Sequence, residues 1–173
     1  WLNQALTAPG WLGTTKTVNA EGKIYEIQFR NANTEMVDVL QAQIRSEIDF
    51  IEQGPDWSIS RFQLTRTING KTDGQAITGL LVDGPGNTAG LWKSPQVLRN
   101  LQPGVLDHDP ILNTTVSYEL NADTQTTYGV IRETDAGKEV VRTYGYDLTS
   151  GMLVFEEIDS LRDGFRVKAK IAP

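Results

Sequence analysis

The sequence predicts an α+β domain: a curved antiparallel sheet, either a half-barrel or a partly closed barrel, packed on one long amphipathic helix. Three observations lead there. Alternating apolar and polar residues, broken by compact turns, recur from 113 to 173 and read as a five-strand C-terminal meander. Val37, Leu40, Ile44, Ile48 and Ile51 are spaced by 3, 4, 4 and 3 residues, the apolar stripe of a helix. The 173 residues fit one domain, 1–173, close to the usual size of about 150.

The elements follow in order. Thr14–Val18 and Lys23–Arg30 read as strands, because Tyr25, Ile27 and Phe29 alternate with Glu26, Gln28 and Arg30. Asn19-Ala20-Glu21-Gly22 supplies turn residues between them, which predicts a hairpin. Asn33 or Thr34 can cap the helix, with Glu35 and Asp38 in its first turn, and Gln53-Gly54-Pro55 ends it. Ile59, Phe62, Leu64 and Ile68 suggest a strand whose facing switches near Ser60-Arg61 through a bulge. Asn69-Gly70 is a type I′ hairpin signal with a partner strand near Gln75–Val82. Asp83-Gly84-Pro85-Gly86-Asn87 is a loop, and Gly90-Leu91-Trp92 a short strand. Ser94-Pro95 starts one or two helical turns that reach Leu101 before Gln102-Pro103-Gly104.

The meander is carried by Val116, Tyr118 and Leu120, then Tyr128 and Val130, Val140 to Tyr146, Met152 to Ile158, and Phe165 to Ile171. Gly129 and Gly145 fall inside strands, where glycine marks a bend, so the sheet is expected to curve. A meander on a helix resembles, in fold alone, the half-barrels that carry lipids in bacterial envelopes. Such a likeness implies a cavity and nothing firmer about function.

Composition narrows the function classes. Sixteen Lys and Arg against 22 Asp and Glu give a net charge of −6, the wrong sign for gripping nucleic acid. No apolar run approaches the roughly 18 residues that span a bilayer. The absence of cysteine excludes disulfides, thiolate metal sites and thiol catalysis, and one histidine excludes multi-histidine centres. No cofactor is expected. A cysteine-free, Asn-, Gln- and Thr-rich chain that opens at Trp1 fits an exported protein, periplasmic or secreted, with a leader removed.

Candidate chemistry is sparse. On a helical wheel Glu47 falls about 40° from Ile51, inside the apolar arc, with Gln43 nearby. A carboxylate there would be a ligand anchor in a cavity or a group paired at its rim. Asp107-His108-Asp109 holds the lone imidazole between two carboxylates and could serve a hydrolase, although adjacent residues in an extended segment diverge. Glu156, Glu157 and Asp159 form an acidic patch without the spacing of a calcium loop. The glycines of 83–87 are not followed by Lys-Ser or Lys-Thr, so they form no phosphate loop. Trp1, Trp11, Trp57 and Trp92 can line a pocket or plug the end of a sheet, and the Trp1–Trp11 arm is expected to cover a sheet edge or a core mouth.

The leading expectation is an exported, non-catalytic domain that holds an apolar or amphiphilic small molecule between helix and sheet. Glu47, Gln43, Trp57, Trp92 and Tyr128 are the expected contacts, with Tyr25, Phe29, Phe62, Tyr118 and Phe155 as further interior aromatics. One alternative is a structural or protein-interaction module of a larger envelope or surface protein. The other is a hydrolase that uses His108 with Asp107 or Asp109.

Overall fold

A computed structural model describes residues 8–13, 17–30, 36–84, 87–122, 127–137, 140–162 and 165–172, with side chains for those in 8–22, 42–122, 127–137 and 140–160. Trp1, Asn33, Thr34 and Glu35 lie outside the described residues, as do the side chains of Tyr25, Phe29, Val37 and Leu40.

The fold is mostly β, and the segment expected to form the long helix is a strand. A 3₁₀ turn at Gly10–Gly13 precedes β1 (Thr17–Arg30), β2 (Met36–Gln53), β3 (Ser58–Ile68), β4 (Lys71–Thr72) and β5 (Ile77–Asp83). One six-residue helix, α1 (Pro95–Asn100), follows. Then come β6 (Gly104–Asp109), β7 (Thr114–Ala122), β8 (Thr127–Asp135), β9 (Val140–Asp147), β10 (Leu153–Arg162) and β11 (Phe165–Ala172). All pair antiparallel in the order β4-β3-β2-β1-β11-β10-β9-β8-β7-β6, with β5 beside β4 on the same edge of β3. The α+β class is therefore corrected to a mostly β architecture.

The segment assigned to the helix is β2, and the reason is visible in its periods. Ile44 and Ile48 stand four apart, a spacing that suits both a helical face and one face of a strand. Ala42, Ile44 and Ile48 are buried, whereas Gln43, Arg45 and Glu47 between them are exposed, so the operative period is two. Two long ladders enforce it: β2 pairs with β1 from Thr17↔Asp49 to Arg30↔Met36, and with β3 from Ala42↔Ile68 to Gln53↔Ser58. Ile51, the last residue of the supposed stripe, is the extra residue of a bulge opposite Ser60 and Ile59, and is 51% exposed. The bulge foreseen in β3 thus sits across the ladder in β2.

The expected turn at 19–22 is likewise absent. Those residues run through the middle of β1, where Asn19 faces Glu47 and Glu21 faces Arg45, and the last two form an exposed ion pair at 3.1 Å. By contrast, Asn69 and Gly70 adopt φ of 49° and 76°, the turn expected of them. The returning strand is broken, because β4 and β5 both pair with β3 but their registers differ across 73–76. In β9 the ring of Phe155 lies over Gly145, where any Cβ would collide with it, and Phe62 covers Gly79 in the same way. These glycines make room for aromatic rings from the neighbouring strand.

The sheet forks. β1 pairs with β11 only as far as Glu21↔Ala172, and β10 only as far as Glu156↔Ile171. Thr17–Ala20 and Leu153–Phe155 lie beyond those pairings, so one leaf (β1–β5) parts from the other (β6–β10). What fills the fork is local in sequence. Ser94 precedes Pro95 at the first helical position, and α1 turns Val97 and Leu98 into a core with Val116, Tyr118, Ile131, Tyr144, Tyr146 and Leu153. The Tyr118 hydroxyl donates to the Leu98 carbonyl at 2.8 Å, which satisfies an end of the short helix.

Trp92 joins the leaves. Its backbone bridges to Met152 at the start of β10, and its indole Nε1 donates to Ser58 Oγ at the start of β3, 2.8 Å away. Trp92 is 2% exposed. On the other side the 3₁₀ turn does the same work: Trp11 packs edge-on against Phe50 and donates Nε1 to the Ser150 carbonyl at 2.8 Å.

Trp92→Phe should leave the buried Ser58 hydroxyl without a donor and lower stability by about 1–3 kcal/mol in urea melts. Ser58→Ala added to it should recover part of that loss. Strictly additive losses would show that the bond does not couple the leaves.

Candidate functional site

Where the first leaf ends, β5 folds its last residues over the inner face of β9 and β10. Gly79, Leu81 and Asp83 point to that face, since they pair with Phe62, Ser60 and Ser58 of β3. Tyr144 and Glu156 are direct cross-strand partners on the opposite wall. Between them lies a pocket of about 250 Å³, lined by Leu81, Ala89 and Leu153 as apolar walls and by Asp83, Tyr144 and Glu156 as polar ones.

Asp83 is the unusual member. It is 2% exposed, and its Oδ1 accepts the Leu91 backbone N–H at 2.8 Å, but its Oδ2 has no partner. Lys93, 3% exposed, donates Nζ to the carbonyls of Asn87 at 2.7 Å and Ala89 at 2.8 Å, and lies 5.8 Å from the centre of the Tyr146 ring. The Asn87 side-chain amide donates to the Val82 carbonyl, and the Tyr146 hydroxyl to the Gly90 carbonyl at 3.0 Å. Polar side chains thus hold the course of 87–91. Gly90 is obligatory, with φ of 143° and with Asp83 occupying the place a Cβ would take.

Burial sets the electrostatics. It raises the Asp83 carboxyl from 3.8 to about 6, against the lowering effects of the Leu91 N–H and the Lys93 charge. It lowers the Lys93 ammonium from 10.5 to about 8, against the attraction of Asp83. Glu156 is also raised by burial, opposed by Arg142, and the Tyr144 hydroxyl is pushed up to about 12 by burial, then by Glu156 and Glu133. The site therefore stores charge at a cost, with both Asp83 and Lys93 ionised only between about pH 6 and 8.

The residues expected to contact a ligand do not converge on this pocket. Glu47 is exposed on the outer face of β2 and lines a separate shallow groove with Asn19, Arg45 and Gln63. Gln43, four residues away, is exposed too. Neither occupies an apolar arc, because there is no helix to form one. Trp57 packs on Gly54 in the β2–β3 connection, Trp92 is buried in the fork, and Tyr128 stands edge-on to Phe155 with ring centres 6.0 Å apart. His108 is exposed on β6, its Nδ1 2.9 Å from Thr115 Oγ1. Asp107 accepts the His108 backbone N–H, and Asp109 accepts those of Ile111 and Leu112, so both carboxylates hold backbone. Among the described residues no group of three or more His, Asp or Glu is placed to hold a metal ion.

Asp83 and Lys93 carried no such signal in the sequence. Asp83 precedes Gly-Pro-Gly and reads as a turn residue; only its place two after Leu81, on the same face of a strand, hints at burial.

No protein-family model matches this sequence, and no curated protein matches it. Among the described residues no helix is long and apolar enough to cross a membrane.

The raised Asp83 carboxyl makes a signed prediction. Its folded value lies above its unfolded one, so its contribution is most favourable below about pH 4 and is lost as pH rises toward 6. Measured against Asp83→Asn, the wild type should lose up to about 3 kcal/mol of stability between pH 4 and 6, at 1.36 kcal/mol per unit. Parallel pH profiles for the two proteins would refute the assignment.

Proposed function

We propose that this protein is a non-catalytic binding domain that holds a small amphiphilic molecule in the pocket between β5 and β9–β10. The observation that carries the reading is the lining of that pocket: apolar walls interrupted by two burial-perturbed carboxyl groups, which is how ligand sites combine affinity with orientation. At about 250 Å³ it falls just under the roughly 300 Å³ at which ligand pockets usually begin, so the occupant is small. The binding role expected between a helix and a sheet is thereby moved to the fork. An exported setting, periplasmic or secreted, belongs to the same proposal and rests on the cysteine-free composition.

A second reading, a protein-interaction module, is favoured by one observation. Among the described residues β5 pairs with β3 alone, and it shows Ile77, Leu80 and Val82 at 52%, 65% and 61% exposure. Trp92 takes no part in it, being buried. Geometry does not favour a hydrolase at His108, whose flanking carboxylates are committed to backbone.

A saturation-transfer NMR screen of fragments of six to ten heavy atoms tests the binding reading. Hits should shift the methyl signals of Leu81 and Leu153 and vanish in Leu81→Trp, which fills the pocket. Hits that survive Leu81→Trp, or a screen without hits, would overturn it.

A further inference from the structure

The pocket holds a more specific statement about what enters it, one that rests on the binding reading above. Its wall carries two acids, Asp83 and Glu156, and no cation. Lys93 is absent from the lining and gives two of its three N–H groups to the Asn87 and Ala89 carbonyls. Arg142, on the same face of β9 as Tyr144, is committed to Glu133 at 3.1 Å. Around the pocket three carboxylates, of Asp83, Glu156 and Glu133, face the two cations of Lys93 and Arg142, with the Tyr144 and Tyr146 hydroxyls neutral between them.

The second observation is independent of that charge count. Asp83 Oδ2 is a buried acceptor without a donor, in a residue that is 2% exposed. Buried acceptors are nearly always satisfied, and leaving one unmet costs its full desolvation. Of the neighbouring donors, the Leu91 N–H is on Oδ1, two of the three Lys93 N–H groups are on carbonyls, and the Trp92 N–H is on Ser58. A donor brought by a ligand would complete the site.

We infer that the ligand is a small primary amine bound as its ammonium, its N–H groups directed to Asp83 Oδ2 and the Glu156 carboxylate and its short hydrocarbon body against Leu81, Ala89 and Leu153. An ammonium supplies three donors and the one positive charge the cluster lacks. A carboxylate ligand would add a fourth negative charge, and an alcohol would satisfy one acceptor without balancing charge.

The test compares n-pentylammonium, n-pentanol and n-pentanoate by calorimetry at pH 7.5, with Leu81 and Leu153 methyl shifts as the readout of place. Pentylammonium should bind at least tenfold more tightly than pentanol, and pentanoate should not bind. Asp83→Asn should bring the amine down to the affinity of the alcohol, and Glu156→Gln should weaken the amine severalfold while leaving the alcohol unchanged. Because Asp83→Asn could unfold the site, wild-type binding is also followed from pH 7.5 to 5, where protonation of Asp83 near pH 6 should weaken the amine selectively. Equal binding of amine and alcohol, or preference for pentanoate, would overturn the ammonium inference and leave the pocket reading intact. If none of the three shifts the two methyl groups, both fall.

Discussion

The indole of Trp92 is the contact on which the rest of this structure depends. An antiparallel sheet of this length has a continuous ladder only while each strand has neighbours on both sides, and here β11 stops supplying that continuity at Glu21 and Glu156. Beyond that point the two leaves share no strand, and their inner faces would open to water. Trp92 closes the gap by three attachments made within one residue: a backbone bridge to one leaf, a hydrogen bond to the other, and a large apolar surface between them. Adjacent bonds, from Lys93 N–H to the Gly151 carbonyl and from Leu153 N–H to the Leu91 carbonyl, extend the seam.

That closure explains why charge is buried beside it. The segment from 87 to 94 must cross from the end of β5 to the start of β10, and crossing an interior leaves backbone carbonyls and N–H groups without partners. Lys93 and Asp83 supply them, one serving the carbonyls of Asn87 and Ala89, the other the N–H of Leu91. Each is held against its own desolvation, and their mutual attraction offsets only part of that cost. A buried pair of this kind is a weak source of stability. Here it fixes the course of a loop, and the loop is one wall of the pocket.

How much of this was legible in the sequence depended on the range of the interaction. The strands of the C-terminal half are short runs of β-branched and aromatic residues bounded by turns, so their existence followed from local pattern. The Asn69-Gly70 turn and the short helix begun by Ser94-Pro95 were equally readable, because positive φ and a proline at the first helical position are properties of one or two residues. The segment 36–53 was not. Ala-Gln-Ile-Arg-Ser-Glu-Ile-Asp-Phe from Ala42 to Phe50 alternates as a strand, yet Ile44 and Ile48 also complete a helical stripe with Val37, Leu40 and Ile51. Only the ladders with β1 and β3 choose between these periods. The same choice moved Glu47 from an apolar arc to an exposed face.

The sequence by itself settled the sign of the net charge, the exclusion of thiol chemistry and the strands of the C-terminal meander, since each of these follows from residue type or from neighbours a few positions apart. The tertiary structure decided where the sheet forks and which of 22 acids loses its water. Asp83 is buried beside a pocket that it lines with Leu91 and with Tyr144, Leu153 and Glu156, the last three more than 60 positions downstream. Desolvation depends on everything packed around a group, and no pattern within a window of sequence encodes that.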